Sequence, residues 1–395
     1  MHAHRASDRL RSARSGRHPG RRVARPAAGL GAACALVLLV AACSGDAPAE
    51  QGASDADGPT PAESGADEPE DAASHDAAEA DEDGDEADEE RSNAPEIDPA
   101  EVGADELGHV PVLMYHRLLD DGGGDFDLTP EEFRGELEWL FDNGYSPVRL
   151  KDLVRGEFDV PAGRSPVVLT FDDSTREQAQ LTEDGELAPD TAMGILVEVA
   201  DDYDDVEPLA SLYLITSSLF GGGADGPDIV AHLYELGMEL GNHTHNHPNL
   251  ASLSADEVQQ ELARNVAEIT DIVPDAEVVT LSLPLGVFPE DRELAERGGA
   301  DTGSYHNEGI LLVGSEPARS PFAADFDPLA IPRIRSAPSW DGGEPDFGSA
   351  FWLEQLEQEG SYRRYVSDGD PDTISFPADR ADELDPAYEE RANPY

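Results

Sequence analysis

From His109 onward the chain repeats one pattern: a short apolar run ending in polar residues, then a segment of helical periodicity. Val110 to Tyr115, Pro166 to Phe171, Ala210 to Thr216, Met238 to Gly241, Val278 to Leu283 and Ile310 to Val313 read as strands. Helices are predicted from Thr129 to Asn143, Asp190 to Asp201, Ile229 to Leu236, Ser254 to Ile272 and Asp291 to Arg297. Thr129 followed by Pro130 marks one helix start, and Ser254 with Glu257 forms a capping box at another. Strands separated by helices must run parallel and be joined by crossovers. With so many units in one domain, the expected class is α/β, as a closed or nearly closed barrel. Chemistry in such a barrel gathers where the strands end.

Two polar clusters follow strands. Asp172 and Asp173 end the Val167-Val168-Leu169 run. Carboxylates held together repel, which favours a cation or a shared proton. Alone, the pair is more simply a solvated acidic turn. The second cluster changes that reading. His243, His245 and His247 fall within five positions after the Met238 strand. His243 and His247 are four apart, so one helical turn puts both imidazoles on one side. Two histidines and a carboxylate with an open position are the donor set of a catalytic divalent ion such as zinc.

Thr170-Phe171-Asp172-Asp173, then Asn242-His243-Thr244 with His247-Pro248, then Leu283-Pro284-Leu285-Gly286 together resemble the polysaccharide deacetylases. These are the NodB-homology domains of carbohydrate esterase family four. The opening Pro111-Val112-Leu113-Met114-Tyr115-His116 is similar to the start of many of them, and the resemblance spans about His109 to Ser336. It implies a deformed (β/α) barrel with fewer than eight strands. It implies Asp172 as catalytic base and Asp173, His243 and His247 as ligands of a divalent metal, zinc by expectation, with cobalt or another ion as alternatives. It implies the Leu285 N–H as oxyanion donor. The reaction implied is hydrolytic removal of N-acetyl groups from a cell-envelope or extracellular polysaccharide. The family's general acid is a histidine on a late strand; His306 is the only histidine after the third motif and is the candidate.

The chain departs from the family pattern. Ser174 stands where glycine is usual, Ser282 where an arginine orients the base, and Leu285 where an aromatic residue is usual. Arg319, Arg333 and Arg335 are candidates for the missing arginine, and Arg333 and Arg335 share a face if extended. His116 should face the barrel mouth, for packing or for catalysis. Thr175 to Pro189 should form a polar loop over that mouth. Two other readings stay open: a catalytically impaired glycan-binding lipoprotein, and a metal-dependent hydrolase of another acyl substrate.

Before the barrel, residues 1–43 read as an export signal, arginine-rich and then apolar from Gly29 to Val40. Val40-Ala41-Ala42-Cys43 resembles a lipobox, which implies lipidation of Cys43 and anchoring to the outer face of the cell membrane. Residues 44–106 are low in apolar residues and rich in Asp and Glu, so a disordered acidic linker is expected. The deacetylase-like domain is assigned to 107–340 and a C-terminal extension to 341–395, with a helix from Phe351 to Glu359 and a loose end. The net charge of -59 excludes nucleic acid and anionic lipid as partners. The expected partners are an N-acetylated polysaccharide and, through the lipid alone, the membrane; a monomer is expected. Cys34 and Cys43 are the only cysteines, so the folded body has neither disulfide nor thiolate site.

Overall fold

Seven short parallel strands build the centre of the molecule. They are β1 (Val112–Tyr115), β2 (Ser165–Phe171), β3 (Ser211–Leu214), β4 (Glu239–Asn242), β5 (Thr280–Ser282), β6 (Gly309–Leu311) and β7 (Ile334–Arg335). The computed structural model describes residues 97–314, 316–339, 342–358 and 360–395. The expected export signal with Cys43, and the linker up to Glu96, lie outside the described residues.

The strand order is β6-β5-β4-β3-β2-β1-β7. Register is set by pairs such as Val112 with Val168, Ser211 with Glu239, and Ile334 with Leu113. The two edges meet through the segment leading into β7. Ile331 bridges Leu311 in parallel, and its N–H and C=O bond Ile310 and Leu312, each at 2.9 Å. The expected nearly closed (β/α) barrel therefore forms, with seven strands around the ring. Tyr145–Pro147 is an eighth parallel member of the sheet, off that path and beside the first half of β2.

Side chains alternate across these strands, as a pleated backbone requires. Leu113, Tyr115, Leu169, Phe171, Leu212, Leu214 and Leu240 face outward and pack on the helices. Helix α1 (Pro130–Asp142) starts with a reciprocal Thr129–Glu132 capping box and buries Phe133, Leu137, Leu140 and Phe141. Helices α2 (Ala192–Ala200) and α3 (Gly226–Glu235) cover the next strands. Helix α4 (Ala255–Ile272) has the Ser254–Glu257 capping box and buries Val258, Leu262, Ala263 and Ile269. Each large apolar side chain so buried contributes about 1.5–3 kcal/mol. The alternate positions point inward and are partly polar. Ser211 and Thr280 both donate to Glu239, at 2.6 and 2.5 Å, and Tyr213 donates to Thr280 at 3.2 Å.

Three expectations need correction. The acidic linker does not extend to Glu106. Asp98 caps a turn of helix at Pro99–Val102, and Asp105, Glu106 and Leu107 are buried. Glu106 accepts from Tyr365 Oη at 2.9 Å and the Ser375 N–H at 2.7 Å, partners no local composition reveals. The C-terminal end is not loose. Helix α5 (Ser349–Leu356) matches the expected helix, but Ile374–Phe376 then pairs with Ala392–Pro394. Tyr365, Ile374 and Phe376 join Val110, Val112 and Val148 in a core under the N-terminal ends of the strands. Tyr395 Oη bonds the Ala104 carbonyl at 2.8 Å. Finally, the helix expected from Asp291 to Arg297 shrinks to Glu293–Glu296, because Arg297–Ala300 and Gly303–His306 form a hairpin. Gly298 permits it: a Cβ there would lie 2.4 Å from Tyr305 Oη.

Candidate active site

At the C-terminal end of β2 the chain turns sharply, with Asp173 at φ 79° and Ser174 at φ 45°. Thr244 (65°), His247 (56°) and Leu285 (59°) are also left-handed, so five of the seven such non-glycine residues among the described residues stand around one mouth. Backbone strain of this kind costs of order 1–3 kcal/mol per residue and persists only where surrounding contacts enforce it. Ser174 shows how. It occupies a left-handed position where glycine carries no penalty, and its Oγ accepts the Ile215 N–H at 3.1 Å.

The turn after β4 is built the same way. Asn242 Oδ1 accepts the Thr244 N–H at 2.8 Å, and Thr244 Oγ1 accepts the His247 N–H at 2.9 Å. Asn265, buried on α4, donates to the Leu214 and Thr244 carbonyls at 2.6 and 2.8 Å. Gly241 is required beside Tyr213, since a Cβ would sit 2.4 Å from its ring. The result brings His243 Nε2 to 3.4 Å and His247 Nε2 to 3.6 Å from Asp173 Oδ1. The three ligand atoms lie within 4.8 Å of one another, and no other such group of three or more occurs among the described residues. One carboxylate oxygen and two imidazole nitrogens converging on one point fit a divalent ion. His243 Nδ1 is 2.7 Å from the Ser282 carbonyl, which fixes the tautomer and aims Nε2 inward. His245 turns away, 2.8 Å from Glu268 Oε2 and 3.1 Å from Thr216 Oγ1.

Asp172 lies beside this group, buried, and its partner is Arg333. The guanidinium, 0% exposed, meets Asp172 Oδ1 and Oδ2 at 2.8 Å each. The same two nitrogens also donate to Thr170 Oγ1 (3.2 Å, from Nη1) and Ser282 Oγ (3.0 Å, from Nη2), and Nε donates to the Leu312 carbonyl (2.9 Å). Ser282 Oγ also bonds Asp172 Oδ2 at 3.0 Å. The arginine missing beside Pro284 is thus supplied from just before β7, with the Ser282 hydroxyl spanning the gap. Of the three arginine candidates, Arg319 pairs with Asp325 and Glu383, and Arg335 bonds the Asp125 carbonyl. Burial alone would raise the Asp172 carboxyl, but the charges of Arg333 and then His243 hold it far below the usual range.

His116, at the end of β1, puts Nε2 3.9 Å from Asp172 Oδ2. Burial holds this imidazole below its ordinary pKa, against the pull of Asp172 and Asp173. Gln178 anchors both strand ends, donating to the His116 carbonyl at 2.7 Å and the Asp172 carbonyl. Part of the expected polar loop after Ser174 is therefore buried wall. Leu285 sits just past Pro284 with its side chain 62% exposed at the mouth. His306 is not part of this site, which corrects the expectation for it. It is exposed on the Gly303–His306 strand and precedes β6, so it stands at the opposite end of the barrel.

Residues 159–301 match the model of the polysaccharide deacetylase family. Asp172, Asp173, His243, His247 and Leu285 lie inside that span; His116 and Arg333 lie outside it. Over 255 residues the chain is 23% identical to the Bacillus subtilis (strain 168) protein YxkH, which is named provisionally as a polysaccharide deacetylase. That alignment covers 61% of this chain and 76% of the relative. The peptidoglycan-N-acetylmuramic acid deacetylase PdaA of the same organism is 32% identical over 79 residues, 19% of this chain and 30% of that one. Among solved structures, the Streptococcus pyogenes deacetylase PplD in complex with acetate superposes with a TM-score of 0.48 at 20% identity, covering 63% of this chain and 99% of that one. IcaB from Ammonifex degensii gives 0.43 at 17% identity, covering 58% and 93%.

Proposed function

We propose that this protein is a metal-dependent hydrolase that removes N-acetyl groups from a cell-envelope or extracellular polysaccharide. The observation that carries the reading is the buried, Arg333-clamped Asp172 adjoining the Asp173–His243–His247 donor set. A divalent ion held there, zinc by preference, supplies Lewis acidity that makes a water acidic and polarises an amide oxygen. Asp172 takes the proton as the water oxygen bonds the acetyl carbon. Arg333 keeps that carboxylate ionised and fixed before the reaction. The Leu285 N–H donates to the oxygen on which charge develops. As the C–N bond breaks, the proton that Asp172 accepted is passed on through the His116 imidazole, whose Nε2 is 3.9 Å from Asp172 Oδ2, to the departing nitrogen, the role expected of His306. The products are acetate and a free amine on the sugar.

The test is acetate release from an N-acetylglucosamine oligomer by the full chain supplied with zinc or cobalt, with Asp172→Asn alongside. Release that Asp172→Asn abolishes is expected. Glycan binding without release would overturn the reading in favour of a binding lipoprotein; turnover of small acyl esters alone would favour another acyl hydrolase. The lipobox-like Val40-Ala41-Ala42-Cys43 supports a second part of the proposal: a monomer lipidated at Cys43 and held on the outer face of the cell membrane.

A further inference from the structure

Thr244, His245 and Asn246 join the two histidines of the donor set and stand outside it. Thr244 and His247 hold positive φ, a conformation that persists only where surrounding contacts enforce it. One face of α4 supplies those contacts. Glu261, Asn265 and Glu268 are spaced by four and three residues, so they line one side of that helix. Asn265 donates to the Thr244 carbonyl at 2.8 Å, and Glu268 Oε2 meets His245 Nδ1 at 2.8 Å. Glu261 holds the last joining residue twice. Its Oε2 accepts the Asn246 N–H and its Oε1 accepts from Asn246 Nδ2, each at 2.8 Å. The Glu261 carbonyl also accepts the His245 N–H at 3.2 Å.

The two histidines are not held alike. His243 is buried, and the Ser282 carbonyl fixes its Nδ1. The His247 side chain is 29% exposed. Its ring faces His243, with centroids 4.8 Å apart, and Asp173, and its Nδ1 has no hydrogen-bond partner among the described residues. The aim of this imidazole therefore follows from its backbone. Thr244 Oγ1 accepts the His247 N–H at 2.9 Å, and the residue just before it is the clamped Asn246. A carboxylate that binds both the N–H and the side chain of one residue leaves that residue little freedom to turn the next. Resting on the metal-dependent reading, we propose that Glu261 is a positioning residue for the divalent ion: by clamping Asn246 it keeps His247 aimed at Asp173 and His243, and so sets how tightly the ion is held.

The experiment measures zinc affinity of the metal-stripped full chain by competition with a chelator, in wild type, Glu261→Ala, Glu261→Gln and Glu257→Ala. Removing a residue that orients a ligand weakens metal binding by about 10–100-fold, and Glu261→Ala should fall in that range. The visible spectrum of its cobalt-loaded form should change as well, since that spectrum follows the ligand set. Glu261→Gln should restore both, because a carboxamide can accept the Asn246 N–H and donate to Asn246 Oδ1 once that amide turns over. Glu257→Ala breaks the capping box of the same helix without touching the loop, and should bind zinc as wild type does. Equal affinity in wild type and Glu261→Ala would overturn the proposal. So would an equal loss in Glu257→Ala, which would reduce the effect to a loosened helix, or in Glu261→Gln, which would reduce it to charge attraction. If the wild type takes up neither zinc nor cobalt, the metal-dependent reading fails separately. Hydrogen exchange of the His247 amide then decides the clamp: faster exchange in Glu261→Ala supports it, and an unchanged rate overturns it.

Discussion

Replacing Arg333 by methionine removes the fork that holds Asp172. The wild-type guanidinium is 0% exposed and makes five hydrogen bonds, two of them to Asp172 at 2.8 Å. Methionine fills much of the volume but leaves a buried carboxylate whose remaining close partner is the Ser282 hydroxyl at 3.0 Å. Breaking a buried pair from one side costs about 3–5 kcal/mol, since the surviving charge stays desolvated. In a domain of this size that lowers Tm by roughly 6–20 °C. Catalysis should fall further than stability suggests, by a factor on the order of 10²–10⁴ in kcat, because the base loses both its ionised state and its direction. Adding Asp172→Asn to Arg333→Met should recover part of the lost Tm, since no buried charge is then left unpaired. Arg333→Lys should retain some stability and little activity, as an ammonium cannot bind both oxygens in a fork. The assays are thermal unfolding and acetate release on the same preparations. Wild-type Tm and kcat in Arg333→Met, or a double variant less stable than Arg333→Met, would refute this reasoning.

Glu106 predicts a pH dependence of stability. Burial first, and the Asp368 charge second, push its carboxyl up to about 8. The folded chain then holds a proton that the unfolded chain has released, so this contribution is complete below the unfolded value and is lost as pH rises toward 8. His109, lowered to about 4 by burial, has finished titrating before the upper part of that window. Between about pH 6.5 and 8 the wild type should lose about 2 kcal/mol that Glu106→Gln does not lose; parallel melting curves in the two proteins would contradict this. Ser174→Ala should cost about 1–3 kcal/mol by leaving the Ile215 N–H without its acceptor, and Ser174→Gly less, because glycine relieves the positive φ. Denaturant midpoints in the reverse order would count against that account. Cys43→Ser should move the protein from the membrane fraction to the soluble one; an unchanged distribution would remove the lipid anchor from the proposal.

Legibility followed the distance over which each feature is encoded. Helix starts such as Thr129–Glu132 and Ser254–Glu257 were readable because a cap is a local device of four residues. Asp172, Asp173, His243 and His247 were readable because each pair follows a strand, and the ends of parallel strands converge. What the sequence leaves open is non-local. Nothing local selects Arg333 from Arg319 and Arg335; it is 161 positions from Asp172 in the chain, and closure of the barrel through Ile331 brings the two together. Chain order alone points to His306 as the late-strand histidine, yet the strand ends put His116 at the site and His306 at the far end. The buried partners of Glu106 and the packed C-terminal end lie in acidic, weakly periodic sequence. There, single residues such as Leu107, Ile374 and Phe376 provide the anchoring, and no pattern announces them. Ser174 stands where the resemblance expects glycine and holds a left-handed backbone, supported by a hydroxyl contact with a residue 41 positions away.

The measurement closest to the central claim joins metal content to turnover. The full chain and its His243→Ala variant would be supplied with zinc, freed of excess ion, and analysed for bound metal and for acetate released from an N-acetylglucosamine oligomer. The account predicts one ion per chain and acetate release in the wild type, with both lost in His243→Ala and release in the wild type abolished by chelation and restored by zinc. Acetate release that persists without bound metal, or in His243→Ala, would contradict it.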